Sequence, residues 1–159
     1  MRNLIMGAGI AVMAAGAAVA HHAGDTFAVG EIVVSHAWTY ETAEAGHASK
    51  VYLTIQNNGA DADRLLQASV DFAPEVVMQA QAVDGEGTLA VQDLSAIRVE
   101  PGQVLTLQPG AIWLELEGVQ QAFVHGEFFH MDLVFETAGA VEIDVVVEEA
   151  DEHLGEPSS

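Results

Sequence analysis

The chain contains no cysteine, which excludes a disulfide framework, a thiolate metal site and a lipid anchor carried on cysteine. It is nearly as short of positive charge: 4 Lys and Arg stand against 24 Asp and Glu, a formal net charge of −20. Phosphate contacts are made by Lys and Arg, so nucleic-acid binding is excluded as a function. An acidic surface attracts cations, but solubility in a salty exterior setting accounts for the same charge. The catalytic signatures are missing too, with no G-x-S-x-G, no H-E-x-x-H and no Gly-rich phosphate loop. Acidic residues are plentiful, yet no carboxylate pair stands in the apolar setting that would raise a pKa for acid–base work. Besides the phenylalanines, the aromatics are Trp38, Tyr40, Tyr52 and Trp113, too few to mark a substrate platform. These absences point away from an enzyme.

A long apolar run occurs at the start of the chain. "MRNLIMGAGIAVMAAGAAVA" places one positive charge at Arg2 before a run rich in Ala and Gly, then closes on Ala18-Val19-Ala20. That order is the order of a secretory signal peptide over 1–20, and it predicts an exported protein, periplasmic or secreted, with no membrane span after cleavage. A cut after Ala20 makes His21 the new N-terminus, followed directly by His22. The remaining chain is long enough for one domain with a real core.

Along that remainder, short apolar stretches alternate with turn signals at the spacing of an all-β sandwich or barrel. "EIVVSHAW" puts Ile32, Val34, His36 and Trp38 on one face by period two. "VYLTIQNNGADADR" runs into an Asn-Asn-Gly turn. Pro101-Gly102 and Pro109-Gly110 bracket a strand over Val104 to Leu107. "AIWLELEG" buries Ile112, Leu114 and Leu116 and turns Trp113, Glu115 and Glu117 the other way. A final hairpin crosses Thr137-Ala138-Gly139, with Val141, Ile143, Val145 and Val147 inward against Glu142, Asp144 and Glu148. Convincing helical periodicity is lacking. The organisation expected is a signal peptide at 1–20, an N-terminal arm at 21–29, one β domain at 30–148 and an acidic mobile tail at 149–159.

The succession "EIVVSHAWTYETAEAGHASKVYLTIQNNGADADRLLQAS", "VEPGQVLTLQPGAIWLELEGV" and "FVHGEFFHMDLVFETAGAVEIDVVV" resembles the periplasmic copper chaperones of the PCu(A)C family. The resemblance implies a cupredoxin-like Greek-key β-sandwich and a role in handing copper to cytochrome oxidase assembly. It also implies a Cu(I) site built from a His, a Met and a His-x-Met pair, soft ligands suited to the monovalent ion. Those positions fall here on Met78 and Gln79, on Leu89, Ala90 and Val91, and on Ile112, Trp113, Leu114 and Glu115. Histidine is absent between His47 and His125, and beyond the leader only Met78 and Met131 remain. The usual ligand set is therefore missing.

What the chain offers instead is nitrogen. A free N-terminal His chelates through its α-amino nitrogen and its ring Nδ1, and one further imidazole completes a T-shaped arrangement that suits Cu(II). Some PCu(A)C-like domains use such a histidine brace, so the resemblance admits it here. The candidate ligands are His21, His22, His36 and His47, and the expected metal is copper, with Cu(II) favoured. Each has a plainer reading: His21 and His22 as a solvated tail, His36 as a hydrogen-bonded core residue, His47 as an idle histidine in the polar loop "EAGHASK". His125 and His130, the latter on one strand face with Asp132, suggest a second weak site or ordinary exposed polarity. The reading that follows is a periplasmic copper carrier or buffer serving a copper-accepting membrane or periplasmic protein. A metal-free interaction module and a copper-dependent oxidoreductase are its competitors.

Overall fold

The computed structural model describes residues 25–150. They form eleven strands: β1 (Thr26–Val29), β2 (Ile32–Tyr40), β3 (Ser49–Asn57), β4 (Asp63–Ser69), β5 (Glu75–Val83), β6 (Leu89–Leu94), β7 (Ile97–Val99), β8 (Val104–Leu107), β9 (Ile112–Glu117), β10 (Phe128–Phe135) and β11 (Gly139–Glu148). Hydrogen bonding follows the path β6-β5-β9-β3-β2-β11-β10-β4-β7, with β1 added to β2 and β8 to β3. Most neighbours are antiparallel, whereas β11 and β2 run parallel from Val146 beside Trp38 to Glu148 beside Tyr40.

Period-two patterning makes these strands and turns their apolar faces one way. On β11, Ile143, Val145 and Val147 are buried, while Val141 packs at the margin; on β9, Leu114 and Leu116 are fully buried. A single core joins Leu65 and Val99, from β4 and β7, to Met78 and Leu114, from β5 and β9. The two ends of the strand path thus pack on one apolar layer, and burying each of these side chains contributes about 1.5–3 kcal/mol. The fold is all-β, a barrel-like sheet consistent with the cupredoxin-like Greek-key β-sandwich expected. The acidic tail and the leader lie outside the described residues, apart from Glu149 and Ala150.

Two local features depart from the alternation read in the sequence. First, the arm at 21–29 is not all arm, because Thr26 to Val29 pair with Ser35 to Ile32 as β1. Second, β2 does not keep one face throughout. Ser35 opposes Thr54 and Trp38 opposes Tyr52, so His36 and Ala37 together face Leu53, and His36 adopts φ 54°. This is a β-bulge with a left-handed residue at its first position. Beyond it the faces exchange: Ile32, Val34 and then Ala37 enter the core, while Trp38 joins Tyr52 and Trp113 in a separate cluster. His36 is therefore exposed and is not the core histidine that simple alternation predicts.

Asp63 begins β4 almost fully buried. Its carboxylate accepts hydrogen bonds from the backbone N–H of Arg64 (2.8 Å), Thr137 (2.9 Å) and Ala138 (2.9 Å). It fastens the β10–β11 turn to β4. Burial alone pushes its pKa up, but the three backbone donors together outweigh that and hold it below the ordinary carboxylate value.

Candidate metal centre

The positions implied by the family resemblance lie on the neighbouring strands β6, β5 and β9, with Leu89, Ala90 and Val91 opposite Val83, Ala82 and Gln81. Met78 pairs with Leu114 on β9 and with Leu94 on β6; Gln79 pairs with Trp113, and Ala80 with Ile112. What stands there, however, is mostly apolar, with Leu89 and Val91 exposed at the sheet edge. Met78 and Leu114 are buried in the core, and the Trp113 indole N–H donates to Gln79 Oε1 (3.1 Å) and Glu115 Oε2 (2.8 Å). A metal at this place would find one thioether and no imidazole.

His36 stands at the β2 bulge, where β2 changes neighbours: β1 covers it through Ser35 and β11 takes over from Trp38. Thr26 is opposite Ser35, so the chain upstream of β1 leaves the sheet beside His36. His47 lies two residues before β3. The β3–β9 ladder extends to it by hydrogen bonds from Gly46 N to Val119 O (2.6 Å) and from Val119 N to His47 O (3.1 Å). Its ring meets Phe123 edge-on at 6.2 Å, and its Nε2 is buried with no hydrogen-bond partner among the described residues.

The register keeps these two histidines apart. His36 faces Leu53 in the middle of β3, whereas His47 stands in the bend before that strand; the four residues from Ser49 to Leu53 alone span roughly 13 Å at about 3.3 Å per residue. His36 and His47 thus stand at different places along β3. His21 and His22 lie outside the described residues. Among the described residues, no group of three or more His, Asp or Glu is arranged to hold a metal. His125 and His130 are partnered separately: His125 Nδ1 sits 3.3 Å from Glu149, and His130 Nδ1 is hydrogen-bonded to Asp144 at 2.8 Å.

The aromatic cluster was hidden from a sequence reading that treated Trp113 as surface. Trp38 and Tyr52 rings lie 4.5 Å apart, Tyr40 stands edge-on to both, and the Lys50 ammonium sits 4.6 Å above Trp113. Burial first, then the neighbouring Tyr40 and Glu115, pushes the Tyr52 hydroxyl up to about 12; burial and then Glu148 push Tyr40 up as well. Strands carrying large apolar residues on both faces were the available signal.

The fold is that of PCuAC domains. A "Copper-bound PCuAC domain from PmoF2" shares 27% identity at a TM-score of 0.68, over 79% of this chain and 98% of that one. An "Apo PCuAC domain from PmoF1" shares 28% at 0.67, over 79% and 99%. The Cu(I)-bound solution structure of DR1885 from Deinococcus radiodurans agrees in fold at 17% identity and a TM-score of 0.55, over 72% and 76%. The family described as "Putative lipoprotein LpqE-like" matches residues 32–147, and the chain belongs to that LpqE-like family. The resemblance to PCu(A)C proteins read from the sequence therefore stands. Among curated proteins, none matches the chain in sequence.

Proposed function

We propose that the protein is an exported copper carrier or buffer that holds Cu(II) in a histidine brace created by cleavage after Ala20. His21 supplies its α-amino nitrogen and Nδ1, an imidazole of the β domain supplies the third nitrogen, and His22 stands beside them as a further donor. Three nitrogens in a T favour Cu(II), whereas Cu(I) prefers thioethers, and the two of the β domain, Met78 and Met131, are buried in the core. Copper is cargo, and its destination is a copper-accepting membrane or periplasmic protein. The copper-bound relative supports the metal, and the family's lipoprotein description supports export. Among the described residues, no helix is long and apolar enough to cross a membrane.

The observation that carries the reading is the register of β1. With Thr26 fixed opposite Ser35, the five residues back to His21 span at most roughly 18 Å. They reach His36, which directly follows Ser35, with slack, whereas His47 precedes β3, seven residues before the Thr54 that opposes Ser35, and is the more distant imidazole. His36 is accordingly the favoured domain ligand and His47 the alternative.

Cu(II) titration of protein beginning at His21 is expected to give one tight site. A single extra Met before His21 acylates the terminal nitrogen and weakens that site at least about tenfold, since each 1.4 kcal/mol is a factor of ten. His36→Ala is expected to remove the nitrogen-rich EPR signal. Equal affinity of the two termini refutes the brace, as does stronger retention of Cu(I) than of Cu(II). An unchanged spectrum in His36→Ala moves the third ligand to His47, and unchanged spectra in both variants remove the site.

A further inference from the structure

The two ends of the strand path are finished differently. At one end β7 has three residues and carries Arg98, short and charged in the usual manner of a guarded edge. At the other end β6 runs six residues, Leu89-Ala90-Val91-Gln92-Asp93-Leu94, in unbroken register with β5. It has no proline, no lysine and no bulge, and its single charge is Asp93. Its free side presents strand N–H and C=O groups that no other described strand takes up.

Apolar side chains accompany this open edge. Leu89 is 64% exposed and Val91 55%, and Val83, directly across from Leu89 on β5, is 63% exposed. Period two sets Leu89, Val91 and Asp93 on the outer face. The turn that leads into β6 is acidic and held in shape, with Asp84 Oδ1 accepting from Glu86 N (2.9 Å) and Thr88 N (2.9 Å). An aliphatic strip on a free strand edge is thus bounded by Asp84, Glu86 and Asp93.

We propose that β6 is a docking edge for an extended segment of another protein, one with alternating aliphatic residues flanked by Lys or Arg. Added as a strand, such a segment takes main-chain hydrogen bonds from β6, sets its aliphatic residues on Leu89 and Val91, and places its cations against the acidic rim. Charge decides against a second copy of the chain, because two bodies of net charge −20 repel and β6 has no cation to offer its own acidic rim. The inference rests on the edge and its charge and is independent of copper.

The probes are three synthetic peptides: alternating Val and Lys, alternating Val and Glu, and the Val/Lys peptide with a central Pro that cannot join a ladder. Each is titrated into isotopically labelled protein and followed by amide shifts. The Val/Lys peptide is expected to move the Leu89–Leu94 amides. Its affinity falls at least about tenfold in Val91→Asp, whose unperturbed spectrum elsewhere shows an intact fold, and copper titrations of that variant are unaltered. Equal binding of the Pro-containing peptide refutes strand addition and leaves only diffuse charge attraction. Shifts centred away from β6, or equal binding of the Val/Glu peptide, overturn the proposal. Concentration-dependent shifts at β6 together with a dimer in sedimentation would assign the edge to a second copy instead.

Discussion

At the level of single residues, His36 stands out as a side chain held where few side chains sit. Among the described residues it is the one non-glycine with positive φ. A Cβ in that region costs roughly 1–2 kcal/mol, and the exposed ring recovers little by packing. His36→Gly relieves the strain and gives part of the gain back through a floppier unfolded chain. The metal-free protein is therefore expected to melt a few degrees higher as His36→Gly, and His36→Val lower than wild type. Paired calorimetry and Cu(II) titration check this: the glycine variant should gain stability and lose copper together. A glycine variant that melts below wild type would mean that the imidazole stabilises the bulge itself. Sequence reading placed His36 on the core face because Trp38 is apolar on whichever side it falls. The pattern Ile32, Val34, His36, Trp38 reads smoothly through a bulge that reverses it.

At the level of elements, strand identity was legible and strand attachment was not. Period two marks β9 and β11 well enough to name their inward residues, since each has one buried face. The clamp by Asp63 left no such trace. Its partners are backbone N–H groups 74 and 75 residues away, and a backbone donor has no letter in the sequence. Asp63→Ala leaves those donors unsatisfied and removes charge-assisted bonds, at a cost of about 2–3 kcal/mol. The pH dependence follows from the depressed pKa. The stabilisation is complete above the unfolded value of about 3.9 and drains away as pH falls through the lower folded value. Wild-type stability should accordingly fall more steeply than that of Asp63→Ala below about pH 4. Denaturant melts across pH 2–7 test this, and parallel curves would show that the carboxylate is not the group being titrated.

For the whole molecule, the dominant fact is charge. Set against 24 acidic residues, the Arg–Glu pairs among the described residues are Arg64 with Glu136 and Arg98 with Glu100, all with exposed side chains. Such pairs add little, because water screens them. Folding draws the remaining carboxylates to within a domain's width, so self-repulsion opposes the compact state more than the expanded one. The Debye length is about 30 Å at 0.01 M salt and about 3 Å at 1 M, a change from spanning the domain to spanning a side chain. Raising NaCl over that range should therefore raise the melting temperature of the metal-free protein by several degrees, most of it below roughly 0.2 M, where the Debye length has already dropped under 10 Å. The same change should weaken the basic peptide at β6, because there the attraction is between unlike charges. Salt is thus expected to strengthen the fold and loosen the partner in one titration. A melting temperature that is flat or falls with NaCl would show that the surface pairs, few as they are, outweigh the repulsion. The export setting would then be the better account of the acidic composition.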